Sequence, residues 1–532
     1  MERHDAIVIG AGLNGLIAAA CLARAGLGVL VLDRNPAPGG LAASHELAPG
    51  FRLSRYRSGA VALPPRLVAD LDLARHGLRF LRAEGGVTLF PDGTCHAAYR
   101  DGVVHRREMA RFSRRDADAW TRYRRDMLRA ARALKPLLEG AAGLPLSRGF
   151  AALKARLGLA DRAAAADDEA IRVALRLWTL PAAELLDSYF ESEAVKAHLA
   201  AAAMMGATLG PLSPGSAARL LTPWLSAGGD AYGGAPDLLL PQGGPAALVA
   251  ALVSAIEAHG GRLRLDAEVT DVTIRDRKAR GVVLANGEEI AAGSILSGLD
   301  LKRSFLSLFQ WKDLPDGLVE RVGRFRMKGV MATVNLALDG LPRFPALPEG
   351  CPAIAGGVRL AGSIAAMQGA FDDWRAHMPP RDPLIGILIP SLTDTALAPA
   401  GAHVASVQVQ YVPETLHDGS WSAARRDALG DLVLARLEAA SPGIGNRILA
   451  REVLLAADLE NDIGLTAGDT AYGETTLDQM FVNRPFPGSG GYDTPVGNFH
   501  LCSPSVHPGP LMPGQAGANA AAHVLALRRK RR

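Results

Sequence analysis

At 532 residues the chain is long enough for two or more domains with large cores. Hydrophobic residues make up 48% and charged residues 21%, an ordinary balance for a globular enzyme, and a formal net charge of +4 is too small to imply a nucleic-acid partner. Cys21, Cys95, Cys351 and Cys502 are scattered with no C-x-x-C pair. That excludes a redox-active dithiol and points away from a disulfide framework, toward a reducing, cytoplasmic compartment. The first strand starts at Asp5, which leaves no room for a signal peptide. No stretch reaches the roughly 18 uninterrupted apolar residues of a spanning helix; residues 238–256 come nearest and are broken by Pro241, Gln242, Gly243 and Gly244. The expectation is a soluble protein, or one held peripherally on the inner membrane face.

In chain order, an apolar run from Asp5 ends in Gly10-x-Gly12-x-x-Gly15, an alanine-rich helical segment follows, and Gly28-Val-Leu-Val-Leu-Asp33 closes a second apolar run with an acid. This strand–turn–helix–strand context separates a dinucleotide fingerprint from a chance glycine triplet. Gly10 allows the tight turn, Gly12 lets backbone approach a pyrophosphate, and Gly15 lets helix and strand pack closely. The phosphates would sit on the helix N-terminus, whose free N–H groups and dipole favour anions. The turn from Gly10 through Ala11, Gly12, Leu13 and Asn14 to Gly15 is therefore the first cofactor-binding segment. Asp33 is placed to accept from ribose hydroxyls. After it come Arg34 and then Gly39-Gly40-Leu41, a glycine pair that lets the chain pass close to a cofactor running beyond the ribose. That suggests FAD rather than NAD.

Residues 5–58 resemble the phytoene desaturase-related flavoproteins: bacterial-type carotenoid desaturases and isomerases, and relatives called pyridine nucleotide-disulphide oxidoreductase domain proteins. The resemblance continues through Pro49-Gly-Phe-Arg-Leu-Ser54, Leu71-Asp-Leu-Ala-Arg-His-Gly77, Gly243-Gly244 and residues 493–523, and so spans nearly the whole chain. It implies an α/β fold: a Rossmann-type FAD-binding domain from residues 1–75, 236–305 and 451–532, with an inserted mixed α+β substrate domain from 76–235 and 306–450.

Residues 51–77 read as a loop with short helices, and 78–104 as short strands around the turn Pro91-Asp-Gly93. Ser113 to Asp116 is a capping box. The helix after it carries Trp120, Tyr123, Met127, Leu134 and Leu138 on one face and Arg122, Arg125, Arg129 and Arg132 on the other. Such a basic face suits either solvent or anionic lipid. Residues 151–225 read as further helices, with 199–206 as core or as the wall of a substrate tunnel. Pro245 opens a helix that Gly260-Gly261 ends. Strands follow, joined by the hairpin signal Asn286-Gly287. By the resemblance, the backbone at Val269 would pair with the adenine edge. Residues 306–450 alternate strands and loops, read as the sheet of the substrate domain.

In the related proteins, residues 494–523 would form the second half of the site: a strand, a glycine-rich turn, and a helix whose N-terminus faces the flavin pyrimidine. A dipole there stabilises reduced flavin. The matching positions are Ser503, Pro513, Gly514, Gln515 and Ala516. This chain departs from the pattern in Ser503-Pro504-Ser505, where glycines are usual, and in Pro510-Leu511-Met512-Pro513. Proline removes donors and fixes the backbone; the serine hydroxyls are expected to replace the lost donors. His507 is the polar group expected nearest the isoalloxazine, as a catalytic base or as an imidazole that holds the turn; His500 is a weaker candidate. Arg55 and Tyr56 are expected near the substrate, and no metal is expected.

The functional expectation is an FAD-dependent oxidoreductase that oxidises C–H bonds of a hydrophobic small molecule. Hydride would pass to flavin N5, with oxygen or a quinone as electron acceptor and a homodimer as the base-rate assembly. A flavin amine oxidase is one alternative, although the aromatic pair such enzymes use has only Tyr492 and Phe499 nearby. A non-catalytic flavin-binding scaffold is the other, favoured by the altered turn alone.

Overall fold

The computed structural model describes residues 3–57, 63–140, 168–226, 233–236, 238–487 and 491–531; part of the helical stretch expected at 151–225 lies outside them. The first apolar runs become β1 (Arg3–Ile9) and β2 (Val29–Leu32), with α1 (Leu13–Arg24) between them. Ala6, Ile7 and Val8 are completely buried, as expected of parallel strands covered on both faces. The hairpin β3 (Ser44–Ala48) and β4 (Phe51–Ser54) follows, where a loop was expected. Phe51 and Leu53 alternate with Arg52, and both apolar side chains pack on Leu397 and Val404.

Next come β5 (Phe80–Ala83), β6 (Gly86–Leu89) and β7 (Cys95–Ala98). Residues 102–104, expected as strand, instead begin the helix α2 (Gly102–Ala110). The Asp101 carboxylate caps it by accepting from Val103 and Val104 N–H. The helix α3 (Arg114–Glu139) starts where expected, with Ser113 Oγ accepting from Asp116 N at 3.1 Å, but the expected box is half formed, because the Asp116 carboxylate accepts from Glu191 and Ser192 N–H instead. Its apolar face, including Trp120, Tyr123 and Met127, is buried in a helical layer with α4 (Glu193–Met204). Part of its basic face docks on that layer too, since Arg122 donates to Ser188 O and covers the Tyr189 ring. The alanine-rich α4 is core.

The chain then runs through β8 (Leu238–Pro241), α5 (Pro245–Ala258), β9 (Arg262–Arg264), β10 (Val269–Arg275), β11 (Lys278–Leu284) and β12 (Glu289–Ser297). Asn286-Gly287 turns β11 into β12, with Gly287 at φ +84°. Strands β13 (Met331–Leu338), β14 (Val358–Leu360), β15 (Ile385–Leu388), β16 (His403–Gln410) and β17 (Ile448–Leu454) follow. The chain closes with β18 (Phe499–Leu501) and α6 (Gln515–Arg531).

Two seven-stranded sheets organise these elements. The first runs β10-β11-β12-β1-β2-β9, with β18 added parallel to the end of β12. Helix α1 packs on it together with α5 and α6. The second runs β17-β13-β16-β15-β14-β6-β7, so strands before residue 100 share a sheet with strands after residue 330. Strand β17 lies across the 450/451 boundary expected from the sequence. One face of this second sheet is apolar, with Val334, Leu336, Val407 and Val409 in its core. The alternate residues Thr333, Asn335, Ser406, Gln408 and Gln410 form a buried polar face. Gln408 donates to Thr333 and Ser406, while Asn335 donates to the Arg55 carbonyl. Among the described residues no helix is long and apolar enough to cross a membrane.

Candidate functional site: a dinucleotide cleft and the turn beside it

The glycine turn is built as its residue types require. Gly10 sits at φ +94° and donates to Leu32 O at 2.7 Å. A Cβ on Gly15 would collide with the Gly10 carbonyl oxygen, so helix and turn can close only without one. Gly12 is the N-cap of α1, and a Cβ built on it meets nothing within 4 Å, so it faces open space. Gly39, at φ +131°, donates to Ala11 O at 2.9 Å and bridges Gly12, while Gly40 comes to rest over the Gly12 Cα. Leu41 packs with Tyr56, Leu454 and Leu465. Leu13 packs against the core of the first sheet.

Asp33 accepts from Ala11 N at 2.6 Å and from Asn35 N at 2.9 Å. It therefore clasps the glycine turn as well as facing the cleft, and each carboxylate oxygen keeps a free lone pair for a further donor. Gly10, Gly12, Asp33, Arg34, Gly40 and Val269 all line this one cleft. Sequence reasoning missed the other wall, where Asp300, Arg303, Gly464 and Tyr472 contribute. Asp300 caps Arg303 N and accepts from the amide and hydroxyl of Thr466, which fixes that wall. Burial, then the nearby Arg34 charge, lowers the Arg303 pKa. Arg34 and Arg303 share the cleft with the carboxylates of Asp33, Glu268 and Asp300, so it offers guanidinium donors beside carboxylate acceptors. No motif announces Arg303, because it lies 270 residues beyond Asp33 in the chain.

Asn14 joins this cleft to the C-terminal segment. Its Oδ1 accepts from Gly517 N at 3.2 Å, and a Cβ on Gly517 would collide with the Asn14 backbone. The N-termini of α1 and α6 thus lie side by side. Gly514 at φ +80° leaves no room for a side chain between Ile17, Leu63 and Leu67, while Ala516 is buried and Pro513 partly so. Gln515 donates to Glu139 O and to Asn519 Oδ1, which ties the start of α6 to the end of α3.

The unusual turn is closed by its own polar groups. Ser503 Oγ accepts from Ser505 N, and Ser505 Oγ accepts from Leu301 N at 3.1 Å and donates to Tyr472 O at 3.1 Å. The one Ser505 proton is thus directed into the protein. The largest contribution comes from a residue that the sequence did not single out. Arg484 is 0% exposed and donates to the carbonyls of Pro504, Glu474, Gln479, Ala471 and Tyr472 at 2.7–3.1 Å. A guanidinium has five N–H donors, and all are used. Burial brings its pKa down to about 10, so it remains a cation. Nearby Asp469 accepts from the amides of Ala471, Gly473 and Lys328, while burial raises its pKa to about 7.

His507 is 2% exposed, with Nε2 3.0 Å from Leu137 O. A carbonyl only accepts, so Nε2 carries the proton, and Nδ1 is buried without a partner. Burial, with a smaller contribution from the Arg484 charge, lowers the pKa to about 4, so the ring is neutral at pH 7. Arg55 pairs with Glu452 at 3.1 Å and Asp462 at 3.2 Å, and the Tyr56 hydroxyl donates to Asp462. Both are held in a network that joins β4 to β17, apart from the glycine cleft. Desolvation pushes the Tyr56 phenol up to about 12.

Residues 13–442 match the family of flavin containing amine oxidoreductases. A pyridine nucleotide-disulfide oxidoreductase domain-containing protein 2 from Rattus norvegicus is 34% identical over 98% of this chain and 93% of its own length. A zeta-carotene-forming phytoene desaturase from Myxococcus xanthus is 24% identical over 95% of this chain and 90% of its own. Among solved structures, a putrescine oxidase aligns with a TM-score of 0.60 at 16% identity, over 98% of this chain and 99% of that one. Cyclohexylamine oxidase from Brevibacterium oxydans aligns with a TM-score of 0.55 at 15% identity, over 99% and 100%. These structures share the fold. A family flavin in a cleft with a dinucleotide fingerprint is FAD, and the open face of Gly12, the Asp33 carboxylate and the Arg34–Arg303 pair suit an adenine dinucleotide. The chain belongs to the flavin-containing amine oxidoreductase family, on its phytoene desaturase-related side, and is an FAD-dependent oxidoreductase.

Proposed function

We propose that the protein is a dehydrogenase or desaturase that oxidises C–H bonds of a hydrophobic small molecule. Bound FAD would supply the redox chemistry, as hydride acceptor at N5 with oxygen or a quinone as final electron acceptor. The chain's own residues bind and orient. In this reading Gly12, Leu13 and Asn14 hold the pyrophosphate on the α1 N-terminus, Asp33 takes the ribose, and Val269 takes the adenine edge. Pro513 to Ala516 bring the α6 N-terminus to the pyrimidine, and the buried Arg484 cation behind Pro504 adds to that field. His507 would then be a positioning residue that holds the turn against α3, and the polar face of the second sheet would roof the flavin.

The observation that carries this reading is the Gly10–Gly12–Asp33–Arg34–Gly40–Val269 cleft, ending beside the paired N-termini of α1 and α6. Desaturation is favoured over amine oxidation by the two aromatic residues near the C-terminal segment. Phe499 packs against Phe309 at 4.9 Å and Phe305 at 5.8 Å, and the Tyr492 hydroxyl donates to His507 O. Neither is free to flank an amine. The test is an absorption spectrum of the purified protein with FAD titrated in, followed by anaerobic addition of lipid-soluble alkenes and of primary amines. Flavin bands near one per chain, bleached by the first class, are expected. Bleaching by amines alone would overturn the desaturase reading.

A further inference from the structure

We propose that Asp493, His500 and His523 form a binding site for a divalent transition metal ion of the zinc class. The three residues come from the loop before β18, from β18 itself and from the middle of α6, on elements that also carry the C-terminal half of the cofactor site. An isolated bridge between Asp493 and His500 brings the loop back onto the strand. One ligand atom of each residue lies within 4.8 Å of the others, with His523 Nε2 at 2.8 Å and His500 Nδ1 at 3.4 Å from Asp493 Oδ1.

Two observations separate this cluster from an ordinary ion pair. His500 is only 3% exposed, and neither its Nδ1 nor His523 Nε2 makes a hydrogen bond, although both sit within reach of the carboxylate. Three potential ligand atoms from separate elements therefore crowd together with no well-aligned hydrogen bond between them. The 3.4 Å between His500 Nδ1 and Asp493 Oδ1 suits a metal, and the 2.8 Å to His523 Nε2 would open by about 0.5 Å to admit one. Bonds of about 2.0–2.1 Å in a tetrahedral complex set ligand atoms about 3.3 Å apart. Two imidazoles with one carboxylate select zinc-like ions over magnesium or calcium, which demand oxygen ligands. Asp493 is exposed, so a fourth position opens to solvent. An ion here would pin β18 to α6 and brace the turn between them.

The full-length, FAD-replete protein, freed of metal with a chelator, should be titrated with Zn²⁺ by calorimetry and with Co²⁺ as a spectroscopic stand-in. The expected result is one site per chain, visible Co²⁺ bands of a low-coordinate complex, and a rise in Tm on Zn²⁺ addition. Asp493→Asn and His523→Gln should each weaken binding by at least about 10-fold and abolish the Tm rise. His259→Gln, an exposed histidine elsewhere, should change neither. Asp493→Asn is a conservative change at the surface, so a folded, flavin-loaded variant is available whatever His523→Gln does to stability. Failure of the native protein to take up Zn²⁺, or equal affinity in Asp493→Asn and His523→Gln, would overturn the proposal. Either outcome leaves the flavin spectrum, and hence the oxidoreductase reading, untouched.

Discussion

The two ends of the chain build adjoining parts of one site by opposite means. From Gly10 to Gly40 the work is done by missing side chains: a Cβ would strike backbone at Gly15 and crowd it at Gly39, and Gly12 leaves the cleft open. From Cys502 to Ala516 it is done by added side chains, with serine hydroxyls and a buried arginine saturating carbonyls that irregular backbone leaves behind. The first strategy is largely local, because the Gly10–Leu32, Ala11–Asp33 and Ala11–Gly39 hydrogen bonds all fall within thirty residues of sequence. The second gathers residues 137, 301, 472, 484 and 504–507 around a single turn. A close backbone approach is encoded by a short motif, whereas satisfying an irregular turn recruits whatever lies nearby in space.

The sharpest way to break the N-terminal device is Gly15→Val. Its Cβ would meet the Gly10 carbonyl, an immovable backbone atom, and the β-branch adds further volume beside Val8. The expected result is a loss of at least about 4 kcal/mol, seen as insoluble or flavin-free protein. A soluble, yellow Gly15→Val protein would show that the turn can shift to make room.

Next in size is Arg484→Met, which keeps the stem and removes the charge. Five buried carbonyls would lose their donors, costing about 3–5 kcal/mol as for one member removed from a buried ionic network. The chemical denaturation midpoint and the FAD dissociation constant should both change. If only stability falls, Arg484 supports the turn without tuning the flavin, and the cation does not contribute to its field.

This contrast also explains what the sequence conveyed. The glycine turn between β1 and α1, the Asn286-Gly287 hairpin and the start of the helix after Ser113 are local signals, and each takes the backbone form read from it. Helix α2 was misread because the capping power of Asp101 outweighs the β-favouring Val103 and Val104. The polar face of the second sheet was present as the alternation Ser406-x-Gln408-x-Gln410, a pattern of period two that marks buried polar roofs as well as solvated edges. Nothing local distinguishes Arg484 from the other arginines. Its role follows from burial, and burial is a tertiary fact.

Acid should expose the cost of the added side chains. His507 and His105 have folded pKa values near 4 and His96 near 3, all depressed by burial from an unfolded value of 6.5. Depressed histidines contribute stability that is present above pH 6.5 and lost as pH falls toward 4, because only the unfolded chain readily takes up the proton. At pH 5 each should cost about 2 kcal/mol relative to pH 7. His507→Gln retains a donor for Leu137 O and should remove that residue's share, flattening the pH dependence of the denaturation midpoint. An unchanged slope would mean that the His507 ring is already reached by solvent.

The smallest predicted effect tests whether the two devices are separable at all. Asn14 belongs to the glycine segment, yet its side chain accepts from Gly517 in the other, while Ser505 lies within the turn. Asn14→Ala should cost about 1 kcal/mol for one lost hydrogen bond, and Ser505→Ala about 1–2 kcal/mol, chiefly for the Leu301 N–H left without a partner, since Tyr472 O keeps Arg484. In the double variant, independent devices would add to within about 0.5 kcal/mol. A larger coupling in the denaturation free energies would mean that the N-termini of α1 and α6 settle together. The C-terminal turn would then be positioned through the glycine cleft. Additivity would leave each half to order on its own, with Asn14 a contact at their seam and no more.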